Sequence, residues 1–130
     1  MCGLIGVISK SKNGLFKTHT TAFHQLLWAD QLRGTDGTGL MYNQKDEKTL
    51  ILKSASAAGG LFANKNYDKA IDAAVATGNF IFGHNRAATK GKKVWADTHP
   101  FIEKHICLIH NGTLFNHEKL AKTRDLLFTI

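Results

Sequence analysis

Proline and cysteine are scarce in this 130-residue sequence, with one and two copies respectively. A single proline and the absence of any polar low-complexity tract exclude a disordered or collagen-like chain. Cys2 and Cys107 are too few for a disulfide framework, so we predict two free thiols. No segment approaches the roughly 20 apolar residues that cross a membrane, and residues 1–10 lack an export-signal pattern. The sequence predicts a soluble, cytoplasmic chain without a membrane partner.

The remaining composition is that of one globular domain spanning residues 1–130, with 43% hydrophobic and 21% charged residues. Lysine and arginine exceed aspartate and glutamate by 17 to 10, so the formal net charge is +7. Such an excess suggests anionic partners. However, the lysines are spread from Lys10 to Lys122 and no aromatic residues alternate with them on one face, so we do not predict nucleic-acid binding.

Hydrophobic periodicity predicts a mixed α+β domain. Apolar and β-branched runs predict five strands, at residues 2–9, 39–43, 50–54, 80–84 and 106–110. Helical spacing predicts helices from a cap at Thr20 or Thr21 to about Leu32, at 67–77 before Gly78, and at 118–127. The glycine-rich residues 34–39 are predicted to form a loop, and the polar residues 44–49 the tip of a hairpin.

Four polar, glycine-containing segments adjoin these strands, and each has an ordinary structural interpretation. Asn111-Gly112 alone is a strong hairpin-turn signal. Residues 34–39 fit a mobile loop better than a phosphate cradle, because they lack the established phosphate-binding spacings. A lone arginine such as Arg86 is commonly a surface ion-pair partner. Cys107-x-x-His110 has the spacing of a zinc pair, but no second pair accompanies it.

Together, in this order, the four segments resemble the glutaminase domain of class II glutamine amidotransferases. The segments are Met1-Cys2-Gly3, Arg33-Gly34-x-Asp36-x-x-Gly39, Gly83-His84-x-Arg86-x-x-Thr89-x-Gly91 and His110-Asn111-Gly112-x-x-x-Asn116. The resemblance implies an N-terminal-nucleophile hydrolase fold, a four-layer α/β/β/α sandwich of antiparallel sheets. Residues 1–130 would form its N-terminal portion, so the fold would be incomplete. The pattern is closer to the sugar-amine and ribosyl-amine branches than to the asparagine-synthetase branch.

The resemblance also implies a mechanism centred on Cys2. Removal of Met1 would give Cys2 a free α-amino group that acts as the base for its own thiol. The thiolate would attack the glutamine amide, form a glutamyl thioester and release ammonia. Asn111 and the backbone N–H of Gly112 would form the oxyanion hole. The backbone carbonyl of Gly34 would contact the terminal amine.

Three further residues are implied to bind or frame the substrate. Arg86 would hold the α-carboxylate of glutamine with its planar fork of N–H donors. Thr89 would add a hydroxyl nearby, and Arg33, together with Asp36, would shape the loop beside the nucleophile.

L-glutamine is thus the expected substrate, and an ammonia-accepting synthase domain or separate subunit is the expected partner. No cofactor or metal is predicted. The resemblance leaves open whether the chain forms a homo-oligomer. Family members carry an aspartate, after the Asn-Gly segment, that holds the substrate amino group. Asp125 is a poor substitute because it precedes the strand expected at residues 127–130. The alternative is therefore a truncated or degenerate relative that binds glutamine or a partner without turnover.

Overall fold

The computed structural model describes residues 1–44 and 48–123, in which six strands and four α-helices follow one another along the chain. The strands are β1 (Gly3–Ile8), β2 (Gly37–Asn43), β3 (Thr49–Ser54), β4 (Phe80–Arg86), β5 (Phe101–Glu103) and β6 (Ile106–Leu108). The helices are α1 (Lys17–Asp30), α2 (Ala58–Phe62), α3 (Tyr67–Thr77) and α4 (His117–Thr123). None of the helices in these ranges is both long and apolar enough to cross a lipid bilayer.

Four strands form one antiparallel sheet in the order β1-β4-β2-β3, and β5 pairs with β6 in a separate hairpin. Strand β4 is therefore interior and is hydrogen-bonded on both sides. Its Asn85 lies opposite Gly3 of β1 and Thr38 of β2. The predicted α+β class is confirmed, and antiparallel sheets with helices are compatible with an N-terminal-nucleophile hydrolase-like domain.

Helices α1, α2 and α3 cover one face of the sheet and enclose the core. Phe23 and Leu27 of α1 pack over Gly83 of β4, where a β-carbon would come within 3.0 Å of both side chains. Leu40 and Ile81 are also fully buried. Burying a side chain of this size contributes roughly 1.5–3 kcal/mol, so each of these residues stabilises the packing of the helices on the sheet. The core fixes β4, the strand that leads to the candidate site.

Helix α1 begins three residues before Thr20 and four before Thr21, the two predicted caps. Its first residue is Lys17, and the N–H of Phe16 donates to Nδ1 of His19 at 3.0 Å. The hydroxyls of Thr20 and Thr21 instead donate back to the Lys17 carbonyl, at 3.0 and 2.9 Å. The prediction of a threonine cap is therefore wrong, because both threonines lie within the helix and their hydroxyls bond to a carbonyl of its first turn. After α1, a 3-10 turn at Gln31–Arg33 reaches the predicted end.

The predicted loop at residues 34–39 is half strand, because β2 begins at Gly37. A β-carbon at Gly37 would lie 2.5 Å from Oγ1 of Thr98, and one at Gly39 would overlap the His99 carbonyl. Both glycines are buried beneath this neighbouring segment. Neither a mobile loop nor a phosphate cradle describes this half of the segment, since the glycines allow two backbones to pack closely.

Asn111-Gly112, which taken alone has the composition of a hairpin turn, does not join two paired strands among the described residues. The turn between β5 and β6 lies at residues 104–105, and Lys104 adopts a positive φ of 54°. Lysine is not a characteristic turn residue, so no residue type marks this turn in the sequence. Helix α3 matches its predicted range of residues 67–77, and Gly78 follows it. Asp125, the end of the predicted helix at 118–127, the predicted strand at 127–130 and the hairpin tip at 45–47 lie outside the described residues.

A candidate active site at the end of strand β4

The sulfur of Cys2 contacts the backbone of Ala87. The Ala87 N–H donates to Sγ at 3.4 Å, and the thiol can donate to the Ala87 carbonyl at 3.6 Å. Cys2 is half-buried just before β1, and Ala87 follows β4, the strand that pairs with β1. The ladder between these strands therefore places the thiol between one donor and one acceptor.

Arg33 and Gly34 approach the same point from the end of α1. Nε of Arg33 donates to the Cys2 carbonyl at 3.1 Å. Gly34 is buried, and a β-carbon there would overlap the Ala87 nitrogen and the Arg86 carbonyl group. Only glycine can pass this close to the backbone after β4. The structure thus brings Arg33 and Gly34 beside Cys2, while the contact of the Gly34 carbonyl with a free amine stays a prediction.

Asp36 joins this corner of the fold to the loop after β4. Its backbone N–H donates to the Arg86 carbonyl at 2.9 Å, and its Oδ2 accepts the Ala88 N–H at 2.9 Å. Its Oδ1 lies 2.6 Å from Nζ of Lys93. The hydrogen bond from Lys93 and then that from Ala88 lower the pKa of the carboxyl group. Asp36 therefore braces the loop whose Ala87 contacts the nucleophile.

The guanidinium of Arg86 is buried within the loop that follows it. It donates to the carbonyls of Lys90 and Lys92, the former at 2.8 Å. Gly91 between them has a φ of +77°, and a β-carbon there would lie 3.1 Å from Nη2 of Arg86. A guanidinium has five N–H donors, so three are left for other partners. Arg86 is thus a loop organiser, a role the sequence did not reveal, and its contact with a substrate carboxylate stays a prediction.

The segment that contains Asn111 and Gly112 follows β6 and is exposed. Two contacts join it to β4 and the loop after it. Nε2 of His84 lies 3.0 Å from the His110 carbonyl oxygen, and the hydroxyls of Thr89 and Thr113 are 3.0 Å apart. The four sequence segments therefore meet around the end of β4, although the oxyanion-hole role of Asn111 and Gly112 and substrate binding by Thr89 stay predictions.

Two buried residues of β4, Asn85 and His84, make contacts that connect the strand to neighbouring segments, and the sequence motifs assigned no role to either. Asn85 accepts from the Thr38 hydroxyl at 3.0 Å and donates to the Leu27 carbonyl at 3.0 Å and to Asp30 at 3.2 Å. It thereby fastens the end of α1 to the sheet. On the opposite face, the His84 ring lies 4.1 Å from the ring of His99. A buried asparagine or histidine in an apolar run is the signal that could have suggested such roles.

Desolvation dominates the electrostatics of this histidine pair. Burial, with smaller contributions from the neighbouring His84, His110, Arg86 and Lys53, lowers the pKa of His99 to about 3. Burial likewise lowers the pKa of His84. Both rings are therefore neutral near pH 7. Cys107 of β6 is half-buried and burial raises the pKa of its thiol, as expected for an inert strand cysteine.

In the part of the chain that the structure describes, no three His, Cys, Asp or Glu side chains are grouped so that they could hold a metal ion.

Sequence comparison places these features among known enzymes. The chain is 30% identical over 125 residues to the amidophosphoribosyltransferase of Pseudomonas aeruginosa, a match that covers 94% of this chain and 22% of the relative. It is 30% identical over 131 residues to a glutamine–fructose-6-phosphate aminotransferase (isomerizing) of Lactiplantibacillus plantarum, covering 95% of this chain and 18% of that enzyme. The Vibrio cholerae enzyme of the same name is 28% identical over 132 residues, 99% of this chain and 20% of its own length. The chain belongs to the class II glutamine amidotransferases.

This class II glutamine amidotransferase chain spans about a fifth of the length of the curated relatives it matches, and the match lies in their N-terminal glutaminase domain. No protein-family model matches the chain.

Proposed function

We propose that this chain hydrolyses the side-chain amide of L-glutamine and supplies the ammonia to a synthase domain or subunit. The observation that carries the proposal is the placement of Cys2, whose sulfur lies between the N–H and the carbonyl of Ala87. A thiol in contact with fixed backbone dipoles at a strand end is a suitable nucleophile for acyl transfer. The relatives' names include two enzyme types, and one of them names glutamine.

The nucleophile requires Met1 to be removed. Met1 is 83% exposed, so its peptide bond is accessible to an aminopeptidase. The free α-amine of Cys2 then takes the thiol proton, and the thiolate attacks the amide carbon of glutamine. Without this cleavage the nitrogen of Cys2 is part of a peptide bond and cannot act as a base.

The attack forms a tetrahedral intermediate whose oxyanion needs fixed donors. We assign them to the Asn111 side-chain amide and the Gly112 N–H. The carbon–nitrogen bond then breaks as the α-ammonium group gives its proton to the departing nitrogen. Ammonia is released, and a glutamyl thioester remains on Cys2. Water, deprotonated by the same amine, attacks the thioester and releases glutamate.

Arg86, Thr89 and Arg33 complete the proposed substrate site. Arg86 has N–H donors beyond those used by the loop carbonyls, and a carboxylate could accept them. Thr89 supplies a hydroxyl at the junction with the 111–113 segment. Arg33 holds the Cys2 carbonyl and so keeps the nucleophile's backbone in place.

For the fold, we propose the four-layer sandwich of N-terminal-nucleophile hydrolases. The support is the second face of the four-stranded sheet, opposite α1 to α3. Leu4 and Ile8 of β1 are exposed there, and Phe82 of β4 covers Gly6. An apolar sheet face of this kind is suited to pack against a second sheet.

Glutamate release from glutamine by methionine-processed protein tests the function. Mass spectrometry first confirms the loss of Met1. Cys2→Ser retains a small residue that permits the cleavage but should reduce glutamate release at least about 1,000-fold, because a hydroxyl is a far weaker nucleophile. Cys107→Ser is the matched control and should keep full activity. Absence of release from the processed wild-type chain, with glutamine still bound, would establish the non-catalytic alternative.

A further inference from the structure

His84 is a fully buried side chain of β4 that the proposed reaction does not use. Its Nε2 lies 3.0 Å from the carbonyl oxygen of His110. A carbonyl oxygen can only accept a hydrogen bond, so Nε2 must carry the proton. His84 therefore donates to the backbone immediately before Asn111.

The surroundings of His84 favour this one protonation state. Desolvation lowers the pKa of the ring, against the opposing effects of the His110 carbonyl and Asp30. Among the described residues, Nδ1 has no hydrogen-bond partner. The centroid of the His99 ring lies 4.1 Å from the centroid of the His84 ring. The pKa of His99 is lowered to about 3, mainly by burial. His84 is thus a neutral ring with its single N–H directed at the His110 carbonyl.

That bond controls the orientation of the next residue. The carbonyl of His110 and the N–H of Asn111 belong to the same planar peptide unit, so fixing one fixes the other. There is also little space beside Gly112, since a β-carbon there would come within 2.8 Å of the His110 ring. The other contact, between the exposed hydroxyls of Thr89 and Thr113, competes with water and restrains less.

We propose that His84 is a positioning residue that orients Asn111 and Gly112 toward the oxyanion by holding the His110 carbonyl; this inference rests on the proposed glutaminase function. Three residues later, Ala87 contacts the sulfur of Cys2. The same strand therefore locates both the nucleophile and the segment that receives the developing negative charge. In this proposal His84 acts through the His110 carbonyl and has no direct role on the substrate or on the sulfur of Cys2.

Three substitutions of His84 separate hydrogen bonding from packing. His84→Gln places an amide N–H near the position of Nε2, His84→Asn stops one methylene short, and His84→Leu removes the donor. Since loss of one oxyanion donor costs on the order of 100 to 1,000-fold, we expect Asn and Leu variants to lose about 10 to 100-fold in kcat with KM for glutamine nearly unchanged. His84→Gln should retain most of the wild-type kcat. His105→Gln, an exposed histidine of the β5–β6 turn, is the matched control and should behave as wild type.

A second measurement does not depend on turnover. The amide nitrogen–proton signals of Asn111 and Gly112, recorded without glutamine, should shift in His84→Asn and return toward wild type in His84→Gln. Alkylation of Cys2 by iodoacetamide should keep its rate in all variants, because this reaction needs no oxyanion donors. Far-UV circular dichroism establishes that each variant is folded, and if His84→Leu is not, the Gln and Asn pair decides.

Each outcome has a distinct meaning. Equal loss of kcat in the Gln and Asn variants, a rise in KM without loss of kcat, or unmoved Asn111 and Gly112 signals in folded His84→Asn would overturn the positioning role. If the wild-type chain releases no glutamate but the two signals shift as described, the proposed function fails, whereas the control of this segment by His84 stands.

Discussion

Asp36 binds Lys93 through one carboxylate oxygen, at 2.6 Å, and the backbone N–H of Ala88 through the other, at 2.9 Å. The two bonds span the loop after β4. One end of that loop touches the sulfur of Cys2 through Ala87. A carboxylate that lies outside the proposed chemistry thus restrains the residue against which the nucleophile rests.

Asp36→Ala should therefore lower kcat for glutamine hydrolysis about tenfold, because a restraint near a reacting atom contributes through positioning. Lys93→Met removes only the partly exposed ion pair and should change unfolding free energy by less than about 1 kcal/mol, with kcat close to wild type. Steady-state kinetics and urea denaturation of both variants check this. An equal effect of the two substitutions would show that the ion pair, and not the bond to Ala88, restrains the loop.

The His84–His99 pair predicts how stability depends on pH. The pKa of His99 is about 3 in the folded chain and about 6.5 when unfolded, so between these values only the unfolded chain binds the proton. The contribution of His99 to the free energy of unfolding should be complete above pH 6.5. It should decline as the pH falls toward 3, by up to about 1.4 kcal/mol per pH unit. His99→Phe keeps a ring against His84 and should flatten the difference in thermal midpoint between pH 7 and pH 4.5. A variant with the same pH dependence as wild type would contradict the assignment.

Gly34→Ala should be severely damaging because its methyl group would overlap the backbone of residues 86 and 87. We expect glutamine hydrolysis to fall at least about 100-fold, since even small displacements of reacting groups carry such losses. Gly59→Ala on α2 is the matched control. Its methyl group would meet Trp28 at an ordinary 3.4 Å, and alanine should raise helix stability by about 0.5–1 kcal/mol. Comparable damage from both substitutions would mean that the close approach at Gly34 is unimportant.

Arg86→Lys tests the two roles of the arginine together. Lysine keeps the positive charge but cannot donate in a fork to the Lys90 and Lys92 carbonyls and also to a substrate carboxylate. We expect kcat/KM for glutamine to fall at least about 100-fold, with KM raised. Proteolysis of the loop at residues 87–93 should become faster in the same variant. Faster cleavage with unchanged KM would limit Arg86 to organising the loop.

The sequence predicted elements whose signals are local. Helix α3 has both apolar periodicity and a glycine after its last residue, and its range was predicted correctly. The predicted start of α1 is too late, because Thr20 and Thr21 have the composition of a cap but their hydroxyls bond within the first turn. The extension of β2 to Gly37 depends on packing beneath Thr98 and His99, residues about 60 positions away, which no local pattern contains.

The candidate site shows the same division. Cys2, Arg86 and Asn111 are candidates from the sequence because they belong to recognisable motifs. The contacts of Ala87 with the sulfur are made by backbone atoms, which every residue possesses, so no residue type marks them. The buried donor of His84 became visible only when the strand pairing placed it beneath the 110–113 segment.

Successive side chains of β4 point to opposite faces of the sheet, so the contacts that position the site depend together on the register of this one strand. Asn85 faces α1, while His84 faces the His110 segment on the opposite side of the sheet. A single-residue insertion early in β4 would exchange these faces, because side chains alternate along a strand. The anchor of α1, the restraint on the 110–113 segment and the backbone contact with Cys2 would then be lost in one event. We expect natural or engineered length variation in this domain to avoid β4 and to fall in the β2–β3 connection.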